Sequence, residues 1–105
     1  MKLLVVGYLL HDINDIEGTP VEALGSPAAF CSLTAKALGM ETGMVSKVGR
    51  DFKYRGLLDG INCEGTSVQD KTPVCRNIYR NGRRTQEVYN AGAKIIHSDI
   101  EKFLD

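Results

Sequence analysis

A chain of 105 residues, 43% hydrophobic and 25% charged, carries enough apolar material for a folded core. That composition excludes global disorder and bounds the architecture to one small domain or part of a larger one. Thirteen basic residues balance thirteen acidic ones, so no net field draws the chain to nucleic acid or to an anionic membrane.

The first element is Leu3-Leu4-Val5-Val6, a short apolar run ending at Gly7. It predicts a strand buried on both faces, as in a parallel sheet. The run is too short for a membrane span and lacks the small-residue cleavage site of a signal peptide. Residues 13 to 24 hold turn residues at Asn14-Asp15 and Gly18-Thr19-Pro20, which predicts an irregular segment or a short edge hairpin.

A helix is predicted next. Ser26 suits the N-cap and Pro27 the first helical position, Ala28 to Leu38 are rich in helix formers, and Gly39 closes the element. Phe30, Cys31, Thr34, Ala37 and Leu38 fall on one apolar face, which leaves Ser32 and Lys36 on the exposed side. Thr42 to Val48 predicts a second strand. Asp51 is expected to cap a second helix running through Leu58, ended by Gly60, and Ile61 to Val68 to form a third strand. Alternating strands and helices predict an α/β fold around a parallel sheet.

The pattern then changes. Val74 to Arg80 and Arg83 to Tyr89 flank Asn81-Gly82, a strong signal for a hairpin with a type I′ turn. A two-residue loop fixes the register, placing Val74 opposite Tyr89, Arg76 opposite Glu87 and Ile78 opposite Thr85. Arg80, Arg83 and Arg84 then read as a solvated hairpin tip. Asn90 to Ala93 return the chain, Lys94 to His97 predict another strand, and Ser98 an N-cap for a last helix over 99 to 104. A chain that stops inside such a helix is expected to be a fragment.

Few residues announce chemistry on their own. Gly-x-x-x-x-Gly-Lys-Ser/Thr and Gly-x-Gly-x-x-Gly loops are missing. Cys31, Cys63 and Cys75 are odd in number and widely spaced, which predicts free thiols and a cytoplasmic setting. His11 and His97 sit in no metal-ligand pattern. His11 adjoins Asp12, but neighbours on an extended chain point to opposite sides.

A resemblance runs through these segments. Gly25-Ser26-Pro27-Ala28-Ala29-Phe30-Cys31-Ser32-Leu33, ending in Leu38-Gly39, resembles the first motif of the ribokinase-like (PfkB) carbohydrate kinases. Gly7 with Asp12 resembles the end of that family's first strand and its substrate-binding aspartate. Val48-Gly49-Arg50-Asp51 is similar to its Val-Gly-x-Asp element, and Gly60-Ile61 through Thr66 to its Gly-Val segment. Thr72-Pro73, the Asn81-Gly82-Arg83 hairpin and Gly92-Ala93 follow in family order.

The resemblance implies the N-terminal part of a ribokinase-like three-layer α/β (Rossmann-like) fold with a protruding β-hairpin lid. Residues 1–105 would be its substrate-binding half, with 13–24 and 72–90 as lid segments. It implies that Asp12, Gly25, Ser26 and Phe30 bind a sugar or nucleoside-like substrate, and that the complete enzyme transfers the γ-phosphate of ATP, with Mg2+, to an alcohol hydroxyl. The family's Gly-Ala-Gly-Asp motif and nucleotide site would lie beyond residue 105, so this chain alone is expected to be inactive and to bind neither ATP nor Mg2+. Three positions depart from the pattern: Ser26 replaces the second glycine, Phe30 stands where many members have asparagine, and Tyr54 where glycine often follows. Phe30 reads as core or as a platform for a ring. The alternative function is a non-catalytic α/β binding or dimerisation module, with a homodimer formed through the lid hairpin.

Overall fold

The structure, a computed structural model, describes residues 2–104. Its strands are β1 (Lys2–Val6), β2 (Leu10–Ile16), β3 (Thr19–Gly25), β4 (Glu41–Gly49), β5 (Asn62–Gln69), β6 (Val74–Arg80) and β7 (Arg83–Tyr89); its helices are α1 (Pro27–Ala37) and the single turn α2 (His97–Ile100). They build two sheets. β1, β4 and β5 form a parallel sheet in the order β1-β4-β5. The second sheet runs β3-β2-β6-β7, with β2 parallel to β6 and the outer pairs antiparallel.

Leu9, Met44, Val45 and Val48 are fully buried, and Leu24, Ala29, Phe52, Leu58 and Ile61 complete the core. The apolar β4 therefore runs as the buried middle strand, flanked by neighbours on both sides. None of the described helices is long and apolar enough to cross a membrane.

The predicted ends of α1 hold. The Ser26 hydroxyl accepts the Ala29 N–H at 3.2 Å, Pro27 opens the helix, and Gly39 takes φ 83° just past its end. Its buried face is not the predicted one. Ala28, Ala29, Ser32 and Ala35 face the core, while Phe30, Cys31 and Leu38 are exposed. Small side chains let the helix lie close on the sheet: a Cβ on Gly7 of the β1 end would stand 3.0 Å from the Ala28 Cβ. Ser32 is buried at no polar cost, because its hydroxyl donates to the Ala28 carbonyl at 2.7 Å.

The segment after β4 also departs from expectation. No α-helix follows Asp51; there is only a 3-10 turn at Arg55–Leu58. The groups that would start a helix serve other partners. The Asp51 carboxylate accepts the Thr72 N–H, and the Lys53 N–H donates to Nε2 of His11. The third strand forms as predicted, as β5.

Residues 13 to 24 belong to a regular hairpin that begins earlier, at Leu10. Its two-residue loop, Glu17-Gly18, has φ of 48° and 91°, the same handedness as Asn81-Gly82 at 52° and 73°. The 74–89 hairpin has the predicted register throughout. Lys94–His97 is not a strand. The last helix begins at His97 rather than after Ser98, with the Asp99 carboxylate accepting the Ile96 N–H, and continues as a 3-10 turn over Glu101–Phe103.

Candidate functional site

Strand alternation decides which side chains meet. In β2, Leu10, Asp12 and Asn14 face one side of the second sheet, and His11, Ile13 and Asp15 face the other. The register sets Asp12 beside Cys75 and Asn14 beside Asn77, and Asn77 in turn opposite Gln86. This face of the sheet looks onto the start of α1. Between them lies a cleft of about 260 Å3, lined by Leu10, Asp12, Ser26, Pro27, Phe30, Cys75, Asn77, Arg84 and Gln86.

Three of the four residues expected to bind substrate, Asp12, Ser26 and Phe30, line this cleft. Gly25 stands against Asp12: a Cβ there would fall 2.1 Å from the carboxyl carbon. A side chain at this position would force the Asp12 carboxylate to move. Asp12 is paired within β2, between Ala23 and Cys75. Burial pushes its carboxyl up from the ordinary aspartate value.

Ser26 holds φ 104° and ψ 151°, a conformation that favours glycine, while its hydroxyl caps α1. Phe30 is 58% exposed. The reading of Phe30 as core is therefore corrected: it is a rim of the cleft, because α1 turns its small residues inward.

Asn77, Arg84 and Gln86 were not anticipated. The predicted hairpin register already placed Asn77 opposite Gln86, and alternation along β7 put Arg84 on the same side; the missing knowledge was which side faces α1. Gln86 Nε2 donates to Asn77 Oδ1 at 2.8 Å, and Asn77 Nδ2 donates to Asn14 Oδ1 at 3.0 Å.

The opposite face of the sheet is structural. Arg76 Nη2 lies 2.7 Å from Asp15 Oδ2, and Arg80 Nη1 lies 3.2 Å from Oδ1 of the same carboxylate. Arg80 is thus an anchor rather than part of a solvated tip. Arg76 stands opposite Glu87 in register, but its guanidinium serves Asp15, and Glu87 accepts the Tyr89 hydroxyl at 2.6 Å. His11, pointing away from Asp12 as expected, stacks on Phe52 with centroids 5.6 Å apart. Among the described residues no group of three or more His, Cys, Asp or Glu side chains could hold a metal ion.

The chain matches no protein-family model. Its backbone superposes on a pyrophosphate-dependent kinase in the ribokinase family with a TM-score of 0.81 and 20% identity, covering 97% of this chain and 38% of that one. The fold is ribokinase-like. A ribokinase-family kinase complexed with a pyrophosphate analog and myo-inositol gives a TM-score of 0.77 at 21% identity, covering 97% of this chain and 36% of that one. Fructokinase from Xylella fastidiosa with bound ATP gives 0.71 at 21% identity, covering 88% of this chain and 31% of that one. In sequence, the chain is 39% identical over 54 residues to inositol 3-kinase from Arabidopsis thaliana, half of this chain (50%) and 15% of the relative. The ribokinase-like chain thus spans less than two fifths of the length of these three structures.

Proposed function

We propose that this chain is the N-terminal, acceptor-binding part of a ribokinase-type kinase, and that the acceptor is a neutral cyclic polyol of the myo-inositol kind. The observation that carries the reading is the meeting of Asp12, Ser26 and Phe30 in one cleft, with Gly25 making room for the carboxylate. Inositol appears in the names of a sequence relative and of a superposable structure, which favours a cyclic polyol over an open or phosphorylated acceptor.

The chemistry follows from the groups present. An ionised Asp12 accepts hydrogen bonds from two neighbouring hydroxyls. The exposed Phe30 ring offers an apolar surface to the C–H face of the acceptor ring. The second sheet acts as a lid, built from 13–24 and 72–90, which keeps water from competing with the acceptor for the phosphoryl group. The donor, ATP or pyrophosphate, its Mg2+ and the base that deprotonates the acceptor are assigned to sequence outside these residues. This chain alone is expected to bind acceptor without phosphorylating it.

Calorimetric titration with myo-inositol tests the reading. Wild type is expected to bind, and Asp12→Ala to bind at least about tenfold more weakly, because hydrogen bonds to a charged group are lost. Equal affinities would remove Asp12 from the site, and no binding by wild type would overturn the assignment.

A second reading, pairing of two copies through their lids, is favoured by β7. All seven of its residues are exposed, and its outer edge has no partner strand among the described residues. Sedimentation of wild type and a Val88→Lys variant decides it: a dimer lost on substitution supports pairing, and a monomeric wild type excludes it.

A further inference from the structure

The geometry points to Gln86 and Arg84 as specificity-determining residues that read the hydroxyl configuration of the acceptor, with Asn77 fixing which atom Gln86 presents. The inference rests on the acceptor-site reading above and extends it to the lid.

The amide chain across β7, β6 and β2 has a direction. Gln86 Nε2 donates to Asn77 Oδ1 at 2.8 Å and reaches Cys75 Sγ at 3.8 Å. Both hydrogens of that amide are thereby committed. The group Gln86 retains is its carbonyl Oε1, an acceptor. Asn77 is buried, and its own amide donates onward to Asn14, so the chain cannot reverse at one residue without breaking the next bond.

Arg84 is the counterpart. Two other arginines of the hairpin, Arg76 and Arg80, pair with Asp15 on the far face. Arg84 lines the cleft and has no ion pair or side-chain hydrogen bond among the described residues. A guanidinium is a planar fork of donors and matches two adjacent oxygens. The cleft therefore offers acceptors at Asp12 and Gln86 and a forked donor at Arg84. A ring with adjacent hydroxyls meets these groups together, so inverting one hydroxyl changes which of the three contacts it makes.

The test is a titration with two probes, myo-inositol and scyllo-inositol, which differ in the orientation of one hydroxyl. Wild type is expected to separate them. Gln86→Met and Arg84→Met should each weaken myo-inositol binding about tenfold and shrink the separation, the effect of one lost polar contact. Arg84 has no side-chain bond to lose among the described residues, so its variant reports binding even if Gln86→Met misfolds, which circular dichroism would reveal. Asn77→Asp keeps the oxygen that receives Gln86 and should keep the ranking; Asn77→Leu should lose it. Wild-type affinity and ranking in both Met variants, with Asp12→Ala still impaired, would overturn the lid inference and leave the acceptor site standing. A wild type that binds both probes equally would also overturn it. A wild type that binds neither would overturn both.

Discussion

The Asp51 carboxylate accepts the backbone N–H of Thr72 at 2.8 Å, across 21 residues of sequence. The Thr72 hydroxyl in turn accepts the Gly49 N–H at 2.8 Å. These bonds tie the segment entering β6 to the end of β4, and so join the second sheet to the parallel sheet. Gly49 is required sterically, since a Cβ there would lie 2.1 Å from the Thr72 nitrogen. Thr72 is fully buried. Thr72→Val should therefore leave the Gly49 N–H unpaired and cost about 1–3 kcal/mol, and Asp51→Ala about 1 kcal/mol. Urea unfolding measures both. The double variant should lose less than the sum, because the two bonds share one residue. A Thr72→Val midpoint equal to wild type would show that the joint contributes nothing.

The face of the second sheet that carries Asp15 should make the protein sensitive to acid. The Arg76 guanidinium, then that of Arg80, holds the Asp15 carboxyl below the usual aspartate value, against its own burial. A carboxylate lowered by folding adds stability that is complete above its unfolded value, near about 4, and is lost as the pH falls through the lower folded value. Asp51 is lowered too, chiefly by the Thr72 N–H, and acts in the same window. Asp15→Asn should melt lower than wild type at neutral pH, and its Tm should fall less steeply on acidification below about pH 5. Parallel Tm curves for the two proteins would remove Asp15 from the acid response.

What could be read from the chain depended on how local the cause was. The ends of α1 and the register of the 74–89 hairpin come from Ser26, Gly39 and Asn81-Gly82 acting over a few residues, and both held. The buried face of α1 did not, because weighing side chains by size favours Phe30 and Leu38. The close approach of helix to sheet selects Ala28, Ala29, Ser32 and Ala35 instead. The missing second helix has a non-local cause: His11 takes the Lys53 N–H from 42 residues away. The site was half legible. Asp12, Gly25, Ser26 and Phe30 came from resemblance, whereas Asn77, Arg84 and Gln86 required knowing which face of the hairpin the helix meets.

Ser26 stores strain where the resemblance expects glycine. Its φ of 104° with ψ of 151° is costly for any residue with a Cβ, by about 1–3 kcal/mol. The cap it supplies to Ala29 offsets part of this, since replacing a serine cap by glycine costs only a few tenths of a kcal/mol. Ser26→Gly should therefore raise stability by about 1 kcal/mol or more. Thermal unfolding checks it. A clear loss of stability would mean that the hydroxyl does more than cap the helix.

On the proposed acceptor-site reading, Asp12 sets stability against binding. It is paired within β2, and burial raises its carboxyl above the ordinary value. For such a group the folded state prefers the proton. Its charge therefore opposes folding above the raised value, and the penalty fades as the pH falls toward the unfolded value. Asp12→Asn removes that charge while keeping the shape, so at neutral pH the variant should be at least as stable as wild type. Acceptor binding should move the other way. The carboxylate accepts from two hydroxyls, whereas an asparagine presents one oxygen and an amide that cannot accept. Wild-type affinity for myo-inositol should thus decline as the pH falls through the raised Asp12 value, and the weak affinity of Asp12→Asn should be flat over the same range. Unfolding curves paired with titrations at several pH values test both halves. A variant less stable than wild type by more than about 1 kcal/mol would assign Asp12 to the sheet's own cohesion. A pH-independent wild-type affinity would show that the ionised form is not what the acceptor meets.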